Sequence, residues 1–378
     1  MKAFFWVMMT ALVGATACQS NTQPTASDAS LVGSTLEYAS TFALHPTDSG
    51  TLVTLYQPWR GQEQPLYYFL APKGQDAVIL PDSLRAIPVP VERLVCYSTT
   101  HMPYLDMLGS PEVLVAAPGI KNITTPSLRQ RVEAGQVRDL GQDNAINVEV
   151  LLEVAPDLVM MYALNAPGDE YAQLQRTATP VIFNADYLEK HPLGRVEYIK
   201  LFGALLGREA AADSVFAEIK DSFLALSEKA PAVNDQSPTV FAGLVYGDIW
   251  YAPAGNSWAA DFMARAGGRY PFADQKGSGS LQLSFETVYA QCLQADVWLN
   301  VGSFTELSEL KKAEARYADF AAFQQGQVYA YMKGSVPNGG VPYFEEGYAR
   351  PDKVLEDLIR VLHPPVAEDS LHYYVPLR

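Results

Sequence analysis

Cysteine and histidine are scarce in this chain: three of the first and five of the second in 378 residues. Cys18 closes an N-terminal apolar stretch, while Cys96 and Cys292 fall in different predicted lobes. That spread excludes a disulfide framework and leaves the latter two as small buried hydrophobes. A receptor for free metal ions gathers several His and carboxylate ligands, and only His101 is suitably positioned for that. Basic residues are outnumbered, with 27 Lys and Arg against 42 Asp and Glu and a net charge of −15. No basic stripe survives that balance, which argues against a nucleic-acid partner. A Gly-x-Ser-x-Gly elbow and a phosphate-cradling loop with lysine are also missing. Gly277-Ser278-Gly279-Ser280 lacks the strand–turn–helix setting such an elbow needs. The chain is therefore not read as an enzyme. After the first seventeen residues, no segment is apolar for long enough to cross a bilayer.

Those first residues carry an address. Lys2 precedes an apolar stretch from Phe4 to Val13, and Ala15-Thr16-Ala17 lead into Cys18. Residues 1–17 read as a bacterial lipoprotein signal peptide, Cys18 as the lipidated residue, and 18–33 as a polar tether. A lipid anchor of this kind holds a protein on a membrane without spanning it.

The remaining text changes rhythm twice. From 34 to 90, short β-like runs are separated by Gly and Pro, as in hairpins. From 91 to 193, strands and helices alternate, which implies a largely parallel sheet covered by helices. Residues 194–231 then hold apolar residues at helical spacing, with no proline before Pro231, and predict one bridging helix of roughly 50 Å in which Gly203 and Gly207 are the places for a bend. Alternation resumes over 232–364, before a tail at 365–378. The expected fold is α/β, with two Rossmann-like lobes joined by that helix and a β-rich N-terminal extension.

The two lobes share a local grammar. Asn147-Val148-Glu149 opens a short helix followed by Ala155-Pro156-Asp157 and an apolar strand, and Ser284-Phe285-Glu286 opens another followed by Gln294-Ala295-Asp296. A carboxylate near a helix start suits the macrodipole, so these are either ordinary capping residues or a matched pair aimed at one partner.

This arrangement resembles the periplasmic substrate-binding lipoproteins of ABC importers for iron–siderophore complexes, haem and vitamin B12. The phrases carrying it are Arg93-Leu94-Val95 leading to Ser98-Thr99-Thr100-His101, Asn147-Val148-Glu149, Ala155-Pro156-Asp157-Leu158-Val159, Ala264-Arg265-Ala266-Gly267-Gly268, Ser284-Phe285-Glu286, and Tyr343-Phe344-Glu345-Glu346-Gly347. The resemblance implies a monomeric, clam-shaped receptor that holds a metal chelate between its lobes and needs no cofactor. It also implies delivery to a membrane permease whose arginines receive Glu149 and Glu286, one from each lobe, on the periplasmic side of a bacterial membrane. The bound chelate would be a ferric siderophore, haem or cobalamin.

Loops after strands should face such a cleft. In the first lobe these carry Ser98, Thr99, Thr100, His101 and Tyr104, as hydroxyl donors or helix caps, with His101 either a ligand contact or a plain helix-start residue. Tyr162 closes a later strand. In the second lobe Tyr246, Trp250, Tyr251 and Trp258, with Asp248 among them, form an aromatic stretch suited to a flat ligand, and Tyr343, Phe344 and Tyr348 a second wall. The importer reading is made to rest on residues 194–230 forming one rigid helix.

Overall fold

The computed structural model describes residues 36–74, 84–142, 145–177, 179–277, 279–337, 339–364 and 370–378. The signal, the tether and Cys18 lie outside them. The β-like opening becomes a four-stranded sheet: β1 (Phe42–Thr47), β2 (Gly50–Leu55), β3 (Leu66–Pro72) and β4 (Arg85–Val89), in that order. β1–β3 are antiparallel, and β4 lies parallel to β3. Gly50 starts β2 at φ 150°, and a Cβ there would lie 2.3 Å from the Leu70 carbonyl, so only glycine fits. Phe42, Leu44, Val53, Leu55, Tyr68, Leu70 and Ile87 are buried in the same core as the first lobe. The extension is thus built into that lobe.

The first lobe's parallel sheet has β5 (Leu94–Cys96) at its centre. On one side lie β6 (Leu114–Ala117) and β7 (Arg138–Asp139), and a small hairpin, β8 (Gly141–Gln142) with β9 (Ala145–Ile146), follows. On the other side lie β10 (Leu158–Met161) and β11 (Val181–Phe183). In the second lobe β12 (Val240–Ala242) pairs with β16 (Val297–Leu299), which pairs with β17 (Val328–Ala330), all parallel. An antiparallel meander of β13 (Leu244–Tyr246), β14 (Ile249–Pro253) and β15 (Ser280–Leu283) sits beside it. β18 (Val375–Pro376) adds an antiparallel edge to β17, and Tyr373, Tyr374 and Leu377 are buried. The segment read as a tail is therefore part of the second lobe, because those side chains complete its core.

Both lobes repeat one tie. The Asp157 carboxylate accepts from the Arg93 amide and its own amide donates to the Arg93 carbonyl. Asp296 and Thr239 exchange the same two bonds, at 2.7 and 2.9 Å. In each case the aspartate fixes the start of the strand beside it.

The single bridging helix is not observed. Residues 192–229 form three pieces, Pro192–Val196, Ile199–Leu206 and Glu209–Lys229. Gly207 caps the second at φ 65°, a left-handed conformation that ends a helix. Gly203 then lets the third piece fold back closely, since a Cβ on it would lie 2.6 Å from that of Ala212. Apolar spacing continues through both breaks because every face of Ile199–Leu206 is buried, so periodicity could not reveal them. The condition set on the importer reading, one rigid helix, therefore fails as stated; what crosses is Glu209–Lys229 alone, with Phe216 and Ile219 in the first core and Phe223 in the second.

Buried carboxylates pin chain segments to this crossing. Glu197 accepts from the amides of Glu37, Tyr38 and Ala39 at 2.8–2.9 Å and from Lys200 Nζ. Glu189 accepts from the amides and hydroxyls of Ser40 and Thr41. Across the lobes, Glu345 accepts from the Thr124 and Thr125 amides at 2.9 and 2.7 Å and from the Thr125 hydroxyl.

Candidate ligand-binding cleft

A cleft of about 1290 Å³ opens between the lobes. Its second-lobe side carries Tyr251, Asn256, Trp258 and Phe262, and the late segment adds Tyr331, Tyr343, Phe344 and Tyr348. Its other side is made by Tyr187 and Lys190, at the end of the first lobe, and by Gln57 and Arg60 of the N-terminal sheet. Arg195, from the first crossing piece, lies at the floor. Its Nε donates to Asp186 at 3.0 Å, and its guanidinium lies 4.0 Å from the Tyr348 ring centre and 5.3 Å from that of Trp258. Trp258 Nε1 donates to the Glu189 carbonyl at 3.0 Å, which holds its indole face toward the cleft. Aromatic faces and a planar cation together suit a large, flat or macrocyclic ligand with polar edges.

Of the residues anticipated from sequence, Trp258, Tyr343 and Phe344 line this cleft. Ser98, Thr99 and Tyr162 line a separate recess of about 310 Å³, shared with Gly340 and Glu345. Phe344 borders both spaces and divides them. Ser98 also caps its short helix by accepting from the Thr100 amide, and Thr100 bonds the Ser98 hydroxyl.

Five expectations are corrected. His101 is buried with neither ring nitrogen bonded among the described residues, and burial lowers its pKa to about 4. Tyr104 is buried as well, its hydroxyl donating to the Arg195 carbonyl at 3.1 Å. Both follow the short helix inward, where they pack on Phe202. Trp250 is fully buried on the inner face of β14, stacked on Trp298 and bonded to the Ala242 carbonyl. Tyr246, 83% exposed, and Asp248 sit at the β13–β14 turn and do not line the cleft. Strand alternation explains the set: with Trp250 inward, its neighbour Tyr251 faces the cleft instead.

Sequence reasoning missed Gln57, Arg60 and Arg195, while Tyr251 belonged to its aromatic stretch and does line the cleft. Two had a signal. Arg195 is one of three charges, with Glu197 and Lys200, set in a largely apolar run from Pro192 to Leu206, and Arg60 follows a tryptophan in a Pro/Gly-bounded turn. Arg350 is held by Asp352 and Lys333 by the Leu371 carbonyl.

Glu149 and Glu286 both occupy the second position of their helices, behind capping Asn147 and Ser284. Both are exposed. Glu286 lies 3.3 Å from Arg316, which also pairs with Glu314 and covers the Phe285 ring. Cys96 and Cys292 are unpaired and buried, and burial pushes the Cys292 thiol up to about 12.

Comparison with known proteins agrees with this architecture. The chain is 25% identical over 356 residues to an uncharacterized lipoprotein of Methanocaldococcus jannaschii, covering 87% of this chain and 82% of that one. It is 26% identical over 201 residues to a cobalamin-binding protein of Halobacterium salinarum, about half of each chain (53% and 52%). A possible iron-binding periplasmic solute-binding protein of Staphylococcus epidermidis has the same fold. Its TM-score is 0.56 at 17% identity, covering 72% of this chain and 99% of that chain. Residues 94–333 match the periplasmic binding protein family, and the chain belongs to it.

Proposed function

We propose that this protein is the substrate-binding component of an ABC importer, capturing a metal chelate between its lobes and handing it to a membrane permease. The observation that carries this reading is the aromatic-walled cleft, larger than the few hundred to about 1,000 Å³ usual for small-molecule sites, in a chain of this family. A space of that size suits haem, a ferric siderophore or cobalamin. The kinship with a cobalamin-binding protein supports the last, and the cations Arg60, Lys190 and Arg195 support an anionic chelate. The protein carries out no reaction on its cargo and acts as a monomer, anchored through Cys18 on the periplasmic side of the membrane.

Glu149 and Glu286 dock on permease arginines. Two exposed carboxylates on helix starts suit bidentate pairing with a guanidinium. Glu286 gives up Arg316 readily, because the pair is exposed and screened by water and Arg316 retains Glu314. Incubating the mature protein with haemin, cyanocobalamin and a ferric tricatecholate, and recording visible spectra and tryptophan quenching, tests the reading. Binding of none of them would end it.

A further inference from the structure

The family match begins at residue 94, after the four-stranded sheet has ended, yet that sheet reaches the cleft. The connection from β2 to β3 is docked by Trp59, whose ring meets Phe183 edge-on at 5.2 Å. Phe183 ends β11, the strand leading to Tyr187 and Lys190 on the cleft wall. This anchor carries Gln57 and Arg60 to the rim, where both line the cleft and both are exposed. The Arg60 guanidinium lies 5.8 Å from the centre of the Tyr187 ring, a contact that orients it without neutralising it. The Tyr187 ring is itself fixed, its hydroxyl donating to the Ala163 carbonyl at 2.6 Å. Among the described residues no carboxylate pairs with Arg60. Arg195, by contrast, already has Asp186.

We propose that the β2–β3 connection is a ligand-reading element, in which Arg60, with Gln57 beside it, binds the anionic oxygens at the edge of the captured chelate. The inference rests on the cleft being the cargo site. It adds that the N-terminal sheet, and not the two lobes alone, selects the cargo, and that the cargo class is an anionic chelate bearing carboxylate or catecholate oxygens. A guanidinium over an aromatic ring keeps its N–H donors available for such oxygens.

The test uses the full mature chain and three probes: haemin, whose propionates are anionic, a ferric tricatecholate, and cyanocobalamin, which carries amides at its edge. Affinity is measured for wild type, Arg60→Gln, Arg60→Glu and Gln57→Ala, with Lys229→Glu as a charge change outside the cleft. Thermal melting of each variant serves as the folding control. The expected result is that wild type binds an anionic probe, that Arg60→Glu weakens it by about tenfold or more, and that Arg60→Gln and Gln57→Ala fall between. Lys229→Glu stays within about twofold, and added salt weakens wild type more than Arg60→Gln. An Arg60→Glu variant that binds the anionic probe within twofold of wild type overturns the proposal. Wild-type binding of cyanocobalamin alone also overturns it while leaving the cleft assignment standing. Binding of no probe removes both.

Discussion

Asp186 and Arg195 meet at 3.0 Å with side chains 3% and 8% exposed, so the arginine at the floor of the cleft is held from behind by a buried carboxylate. The pair is also the link between the first lobe and the crossing, since Asp186 follows β11 and Arg195 lies in the first crossing piece.

Removing one partner strands a charge away from water. Asp186→Ala should lower unfolding free energy by about 3–5 kcal/mol, whereas a double change to apolar residues of similar volume should recover most of it. Denaturant titrations of both variants check this. A single variant as stable as wild type would mean that water or another group already neutralises Arg195.

His101 lies close enough to this pair to feel both charges, but burial dominates its titration. Its pKa falls from 6.5 to about 4, so the unfolded chain binds the proton first as pH drops. Stability present above pH 6.5 is therefore lost between that value and about 4, by up to about 3 kcal/mol from this residue. His101→Leu should match or exceed wild type at pH 7 and show a shallower decline at acid pH. Parallel stability–pH curves for the two proteins would contradict that.

The tryptophans separate cargo contact from packing. Trp258→Phe should abolish most ligand-induced fluorescence quenching with little change in melting temperature, because its ring faces the cleft. Trp250→Ala should cost about 3–5 kcal/mol of stability, as its indole stacks on Trp298 and lies near Phe320 and Tyr317. Equal quenching in Trp258→Phe and wild type would remove this residue from the site.

Glu345 ties the late segment of the chain to the first lobe. Glu345→Ala leaves the Thr124 and Thr125 amides and one hydroxyl without their acceptor. A loss on the order of 2–3 kcal/mol is expected, with faster hydrogen exchange at those two amides. Unchanged protection there would show that the lobes are held by other contacts.

What the sequence made legible was local. Helix caps at Asn147 and Ser284, the matched aspartates before β10 and β16, and strand–helix alternation are all written within a few residues. They predicted the two lobes and the carboxylates at the helix starts. The position of Trp250 was not legible, because the buried side of β14 depends on pairing with β13 and β15. The break at Gly207 was hinted at by the glycine itself, but the one near 197 was not, since apolar spacing persists there in a segment buried on every side. Arg60, Tyr187 and Arg195 come from three separate elements, and only the assembled fold brings them around one space.

The Glu345 contact has a mechanical consequence. One carboxylate gathers three donors from the first lobe onto the late segment, so any relative movement of the two must break those bonds together.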